Sequence, residues 1–221
     1  MTKILAISDT HGSHSLIGCL PEADILIHAG DFMNSGIKIS EALNFNSWLK
    51  EIPIKHKLVC GGNHDRMFEM QHTSRNFITG GTYLENEAIV VEGIKFYFSP
   101  YTPEFNGWAF NMNRFELREN WKKIPDDTEF LVTHGPPYGI LDQAVKDGEH
   151  FGDTELLHRV KKLSKLKYHV FGHIHGSRGI APSVWGPTFC NCSFLNERYR
   201  PHSGPGYTLL EIELSEILFN L

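Results

Sequence analysis

The sequence predicts an α/β protein: a layered α/β sandwich in which two mixed β-sheets are flanked by helices. Three observations predict it. Short runs of residues are apolar on both faces, as strands inside a covered sheet must be. Helical periodicity fills gaps between them, which implies parallel strands joined by helical crossovers. A hairpin and a C-terminal strand pair break the alternation, so strand directions are mixed.

In chain order, residues 3–8 (Lys-Ile-Leu-Ala-Ile-Ser) form the first apolar run, which stops at Asp9. Residues 24–29 repeat the form and stop at Gly30-Asp31. A helix is predicted over 38–50, with Ile39, Ala42, Leu43 and Leu49 on one side. Residues 57–60 lead into Gly61-Gly62-Asn63. Residues 88–91 and 94–98, joined by Glu92-Gly93, form a hairpin. Residues 129–133 lead into His134. A second helix is predicted over 153–165, with Leu156, Val160 and Leu163 at i, i+4 and i+7 and Leu157 adjacent. Residues 167–171 lead into Gly172-His173. After a turn over 203–206, residues 207–214 and 217–220 read as two more strands. No repeat, low-complexity stretch or composition break marks a linker, so one domain over 1–221 is expected.

The chain has 221 residues, 41% hydrophobic and 21% charged, which suffices for a full core without staples. The net charge is −5 and no block of basic residues appears, which disfavours polymeric nucleic acid as a partner. Lys161, Lys162, Lys165 and Lys167 form the densest basic stretch and read as the solvated face of a helix. Cys19, Cys60, Cys190 and Cys192 lack the spacing of a disulfide framework or a zinc ribbon. They read as small buried thiols, which fits a reducing compartment. A strand pattern begins within two residues of Met1, and no apolar run approaches a membrane span, so a cytoplasmic location is expected.

Five fragments stand where these apolar runs end: Asp9-Thr-His11, Gly30-Asp31, Gly62-Asn63-His64-Asp65, Thr133-His134-Gly135 and Gly172-His173-Ile-His175. In open α/β sheets, functional groups collect at the carboxyl ends of the strands. Aspartate and asparagine oxygens among imidazole nitrogens, with no thiolate, suit manganese, iron(II), zinc or nickel. A closed structural zinc site would be richer in sulfur. Asp9 and His11 can grip one ion. His173 and His175 can do the same or divide between two. The Asp31 carboxylate can bridge.

These fragments, in this order, resemble the calcineurin-like metallophosphoesterases. The stretch 99–110, Thr133-His-Gly-Pro-Pro137, Val170-Phe-Gly-His-Ile-His175 and Asn196-Glu-Arg-Tyr-Arg-Pro201 resemble its metallophosphoesterase-domain-containing (MPPED) branch more closely. The resemblance implies two divalent ions, manganese first, with iron, zinc or nickel as alternatives. Asp9, His11 and His175 would hold the first ion, and Asp31 would bridge. Asn63, His134 and His173 would hold the second. His64 would face the phosphate without ligating, and Asp65 would orient its imidazole. No ligand of the family pattern is missing.

The implied activity is a dinuclear-metal-dependent phosphodiesterase acting on small diesters such as cyclic nucleotides, by attack of a metal-bridging hydroxide. His64 either protonates the leaving oxygen or stabilises charge as an imidazolium. The diester preference comes from the resemblance alone. A phosphomonoesterase, including a protein phosphatase, and a non-catalytic scaffold are the alternatives. Asn106 and Trp108, with Phe110 and Asn111, are candidate substrate contacts; Trp108 and Phe110 either stack on a base or pack under their loop. Arg66, Arg114 and Arg178 are phosphate partners by charge only. His14 reads as loop polarity, His28 as structural or as support behind the ligands, and His169 as packing.

Overall fold

The computed structural model describes residues 1–144 and 148–213. Strand β1 is Thr2–Ile7 and β2 is Ile25–His28. Helix α1 (Ile39–Glu51) leads to β3 (His56–Val59), the short α2 (Arg66–Met70) and β4 (Thr82–Tyr83). The hairpin β5 (Glu87–Val91) and β6 (Ile94–Ser99) follows, then the two-residue strands β7 (Thr102–Pro103) and β8 (Asn111–Met112). Next come α3 (Arg114–Trp121), β9 (Phe130–Thr133), α4 (Thr154–Val160) and β10 (Tyr168–Phe171). Strands β11 (Gly179–Pro182), β12 (Thr188–Asn191) and β13 (Thr208–Ile212) complete the described elements.

Two mixed sheets result, as expected. One has the order β13-β1-β2-β3-β4, parallel except for β13. The other has the order β11-β12-β10-β9-β6-β5, with a parallel centre and antiparallel edges. Glu92 and Gly93 in the hairpin turn both have positive φ, 48° and 76°, the pairing that matches strand twist in a two-residue loop.

Strand alternation explains the layers. Ile4 and Ala6 of β1 point toward the second sheet and meet Phe96, Phe98, Phe130, Val132 and Val170. Leu5 and Ile7 point the other way, onto the α1 layer with Phe45 and Leu49. On the far side of the second sheet, Tyr97, Leu131 and Phe171 pack with Leu117 and Trp121 of α3 and Leu156 and Val160 of α4. Central strands are therefore apolar on both faces because both are covered. Cys60, Cys190 and Cys192 are buried between the sheets and, like the exposed Cys19, unpaired.

Two expectations need amendment, and one further helix was not expected. The buried face of α1 is Ala42, Phe45, Asn46 and Leu49, whereas Ile39 and Leu43 are 51% and 45% exposed. Asn46 turns inward because its Oδ1 accepts from the backbone N–H of Thr79 (2.8 Å) and Gly80 (2.7 Å), which brings the 79–80 turn onto the helix. Helix α4 stops at Val160, although Leu163 is still buried. Helix α3 has weak apolar periodicity and is defined by a capping box, in which Asn113 and Glu116 each accept from the other's backbone. The strand expected over 217–220 lies outside the described residues. Among those described, no helix is long and apolar enough to cross a membrane.

Candidate metal centre

The five fragments meet because both sheets end on the same side. Asp9, Asp31 and Asn63 follow β1, β2 and β3, which are mutually parallel. His134 and His173 follow β9 and β10, also parallel. Just before the site the sheets are stitched together: Ser8 N–H donates to Cys192 O (3.1 Å) and Phe194 N–H donates to Ser8 O (2.7 Å). This bridge brings ligands from two separate sheets within reach of one another.

The side chains then converge. His11 Nε2 and His175 Nε2 lie 3.2 Å apart. Asp31 Oδ2 is 3.6 Å from His11 Nε2 and 3.5 Å from His134 Nε2, so one carboxylate oxygen stands between two imidazoles. Asp9 Oδ1 is 3.4 Å from His175 Nε2, and Asn63 Oδ1 is 2.9 Å from His134 Nε2. Donor atoms of Asp9, His11 and His175, of His11, Asp31 and His64, and of Asp9, Asp31 and His134 each fall within 4.8 Å of one another. The His173 ring lies 5.0 Å from that of His134, and its backbone N–H donates to Asp9 Oδ1 (3.1 Å) and Oδ2 (2.9 Å).

Neighbouring groups fix ring and carboxylate orientation. His134 Nδ1 lies 3.0 Å from Ala29 O and His175 Nδ1 lies 3.2 Å from Asn196 O. Each carbonyl selects the tautomer that leaves Nε2 for the cluster. Ser193 Oγ donates to Asp9 Oδ2 at 2.8 Å. Gly172 is required by close approach, since a methyl group there would collide with the Asp9 carboxylate and Ser8. The backbone is strained as well: Asp9, His11, Asp31 and His173 have φ of 53°, 41°, 56° and 67°. Such values are rare outside glycine and persist where surroundings impose them.

The electrostatics fit a cationic occupant. Burial raises the Asp9 and Asp31 carboxyls, yet the histidines around them win and hold both well below the ordinary range. Burial lowers His11 to about 4 and His173 to about 3, so both rings stay neutral, the form that ligates. Burial also opposes charge on His134 and His175, but the Asp31 and Asp9 carboxylates overcome it, raising His134 to about 9 and His175 above its usual value. Asp31 thus holds a proton on the His134 ring, and Asp9 favours one on His175. Divalent ions can replace those protons, and the oxygen and imidazole donors, with no thiolate, suit ions of the manganese to zinc range.

The pH dependence follows from these directions. The His134–Asp31 pairing stabilises the metal-free protein fully below the unfolded histidine value of about 6.5. That stability is lost as pH rises through about 9. Metal binding must displace the same proton, so it tightens by about tenfold per pH unit in this window for each proton displaced. The rise in Tm on adding manganese is expected to grow from about pH 6.5 to about 9 in thermal melts. A rise independent of pH contradicts this.

A cleft of about 320 Å³ opens over the cluster, lined by His11, Asp31, Asn63, His64, His173 and His175 together with Phe105, Trp108, Glu197 and Tyr199 among others. His64 stacks on Trp108, with ring centroids 4.2 Å apart and planes 24° apart. Its Nδ1 lies 2.9 Å from Asn34 O.

Several expected roles change. Asp65 does not orient His64. Its Oδ2 accepts from the backbone N–H of Asp31 and Gly62, both at 2.8 Å, and its Oδ1 accepts from Met33 N–H at 2.9 Å. Residue 65 stands at the start of α2 without capping it; its side chain turns inward, and the Asn34 carbonyl takes the place beside the imidazole. Asn106 is exposed in its loop, with φ 47°, and is not part of the cleft wall. Phe110 is fully buried, and Asn111 ties its loop together through Thr102 Oγ1 and Phe105 N–H. Arg114 pairs with Glu155, and Arg178 donates to the carbonyls of Ser193, Pro205 and Tyr207. Arg66 lies 5.7 Å from the Trp108 ring centre. His14, His28 and His169 are buried, with His28 and His169 hydrogen-bonded to Thr10 and Thr133. Asn34 and Ser193 join the site without a sequence signal of their own, whereas Phe105, Glu197 and Tyr199 lie in the stretches that carry the family resemblance.

Fold and cluster together define a class: a sandwich of two mixed sheets with a metal-ligand constellation at their shared carboxyl ends. The model of the calcineurin-like phosphoesterase family matches residues 2–177, and the chain belongs to that family. Metallophosphoesterase domain-containing protein 1 of Homo sapiens is 34% identical, over 92% of this chain and 69% of its own. Among solved structures, phosphopantetheinyl hydrolase from Mycobacterium tuberculosis superposes with a TM-score of 0.64 at 14% identity, covering 94% of this chain and 95% of that one. A dimetal phosphatase from Danio rerio gives 0.57 at 10% identity, over 94% and 91%. These two likenesses concern the fold. Family membership makes the chain a metallophosphoesterase.

Proposed function

We propose that this protein is a dinuclear-metal-dependent phosphodiesterase acting on small diesters, cyclic nucleotides among them. The observation that carries this is the convergence of Asp9, His11, Asp31, His134 and His175 on one point from two sheets, with Asp9, His11 and Asp31 in strained backbone. In this reading Asp9, His11 and His175 would hold one ion, Asn63, His134 and His173 the other, and Asp31 would serve both. Two divalent ions, manganese first, would supply Lewis-acid activation of water and of the phosphoryl oxygens.

The protein does the rest. Trp108 holds the His64 ring by stacking, and the Asn34 carbonyl takes its Nδ1–H. That leaves Nε2 to hold a proton for the leaving oxygen. Among the described residues, no arginine or lysine lines the cleft. The diester preference rests on the family resemblance. The interlayer shared by both sheets supports reading residues 1–221 as one domain. The unpaired cysteines support a cytoplasmic location.

Purified protein with manganese is expected to turn over bis-p-nitrophenyl phosphate faster than p-nitrophenyl phosphate. The reverse ratio makes it a phosphomonoesterase, and turnover of neither at full metal loading makes it a scaffold. His64→Ala is expected to lower kcat by about a hundredfold or more while metal content stays unchanged. Loss of metal in that variant would instead make His64 a ligand, as its place in one donor triad permits.

A further inference from the structure

Tyr199 stands at the cleft, and its backbone has φ 55°, a conformation that a bulky residue rarely adopts. The loop around it is fixed from several sides. Leu195 bridges to Pro201, Asn196 O accepts from Tyr199 N–H at 2.8 Å, and Asn196 Oδ1 accepts from Arg198 N–H (2.9 Å) and Arg200 N–H (3.3 Å). This conformation costs free energy and would suit glycine or asparagine better. It turns the Tyr199 ring edge-on to two ligand candidates, 5.0 Å from the His11 ring and 5.4 Å from the His175 ring. Trp108 packs on His64 and Phe105 packs 5.3 Å from His173, so the aromatic rim is completed on the His11–His175 side by Tyr199.

The hydroxyl is the telling group. The residue is 51% exposed at the cleft, so among the described residues the hydroxyl is free of protein partners and open to an incoming group. Of the polar groups around it, His175 Nδ1 faces Asn196 O, His202 Nε2 lies 2.9 Å from His175 O, and His11 Nδ1 is buried without a partner. A phenol keeps its proton at neutral pH, since its ordinary pKa is about 10. It can therefore donate to an anionic oxygen in a cleft whose described lining contains no lysine or arginine.

We propose that Tyr199 is a substrate-binding residue: its hydroxyl donates a hydrogen bond to a phosphoryl oxygen of the ester bound over the cluster. The strained loop serves to hold it there. This inference rests on the hydrolase reading for the substrate, but it concerns phosphate recognition and can be tested separately.

Tyr199→Phe keeps the ring against His11 and His175 and removes only the hydroxyl. The test compares wild type and this variant, both loaded with manganese, by metal content, by kcat and KM on bis-p-nitrophenyl phosphate, and by calorimetric affinity for inorganic phosphate. Expected is unchanged metal content, with kcat/KM and phosphate affinity each lowered by about tenfold, the size of one hydrogen bond to a charged group. Wild-type values for both in the variant overturn the proposal. Loss of metal in the variant also overturns it, because the hydroxyl would then support the ligands instead. If wild type turns over neither aryl ester, the hydrolase reading fails, and phosphate affinity alone decides: weaker binding by the variant supports the contact, equal binding overturns it.

Discussion

Asp31→Asn is expected to leave the fold intact and to abolish both metal loading and turnover. Asp31 Oδ2 lies between His11 Nε2 at 3.6 Å and His134 Nε2 at 3.5 Å, and its Oδ1 accepts from His64 N–H at 2.7 Å. Asparagine keeps a carbonyl for the His64 amide, so the loop after β3 stays in place. The charge change is also absorbed. Asp31 is the main group that keeps His134 protonated against burial; without it the ring titrates back down and stays neutral. No buried charge is left unpaired, but the His134–Asp31 pairing is lost, so the metal-free Tm is expected to fall by several degrees near neutral pH while the fold survives. What disappears is the anionic oxygen between the two halves of the cluster. The rise in Tm on adding manganese should vanish, and turnover should fall by at least about a thousandfold. Metal analysis, thermal melts and a bis-p-nitrophenyl phosphate assay on one preparation read all three. A variant with wild-type metal content and turnover would contradict the assignment.

Asp65→Ala is expected to act first on stability. The Asp65 carboxylate is fully buried and accepts three backbone N–H groups, from Asp31, Met33 and Gly62. These belong to the loops that follow β2 and β3, so one side chain fastens two ligand-bearing loops together. Alanine leaves three buried donors unsatisfied, each costing about 1–3 kcal/mol. A total of about 4 kcal/mol or more lowers Tm by roughly 10 °C in a chain of this size. Metal affinity should weaken with it, because Asp31 and Asn63 then move independently. Denaturation and metal titration distinguish this from a role beside the imidazole. A variant with normal stability and metal content but low kcat would return Asp65 to that role.

The strand ends were legible in the sequence for a physical reason. A central parallel strand is apolar on both faces, and the first polar residues after it must lie at its carboxyl end. Asp9, Asp31, Asn63, His134 and His173 all occupy such places. Contacts made by backbone carbonyls were not legible, because every residue has one: Asn34 beside His64 carries no signal, and Asn196 behind His175 stands out only within a stretch that resembles the family branch. Tyr199 reaches the cleft only through a left-handed backbone conformation that its residue type disfavours. Asp65 misleads through adjacency. Its neighbour His64 faces the cleft, while the start of α2 turns residue 65 inward. The same limit shifted the face of α1, where counting apolar residues overlooked Asn46, a buried amide with a turn to hold.

Manganese titration of metal-free protein, followed together by calorimetry and by turnover of bis-p-nitrophenyl phosphate, tests the two-metal account most directly. The account predicts two ions bound per chain and turnover that appears as the second site fills. Saturation at a single ion, or full loading with no hydrolysis of the diester, would contradict it.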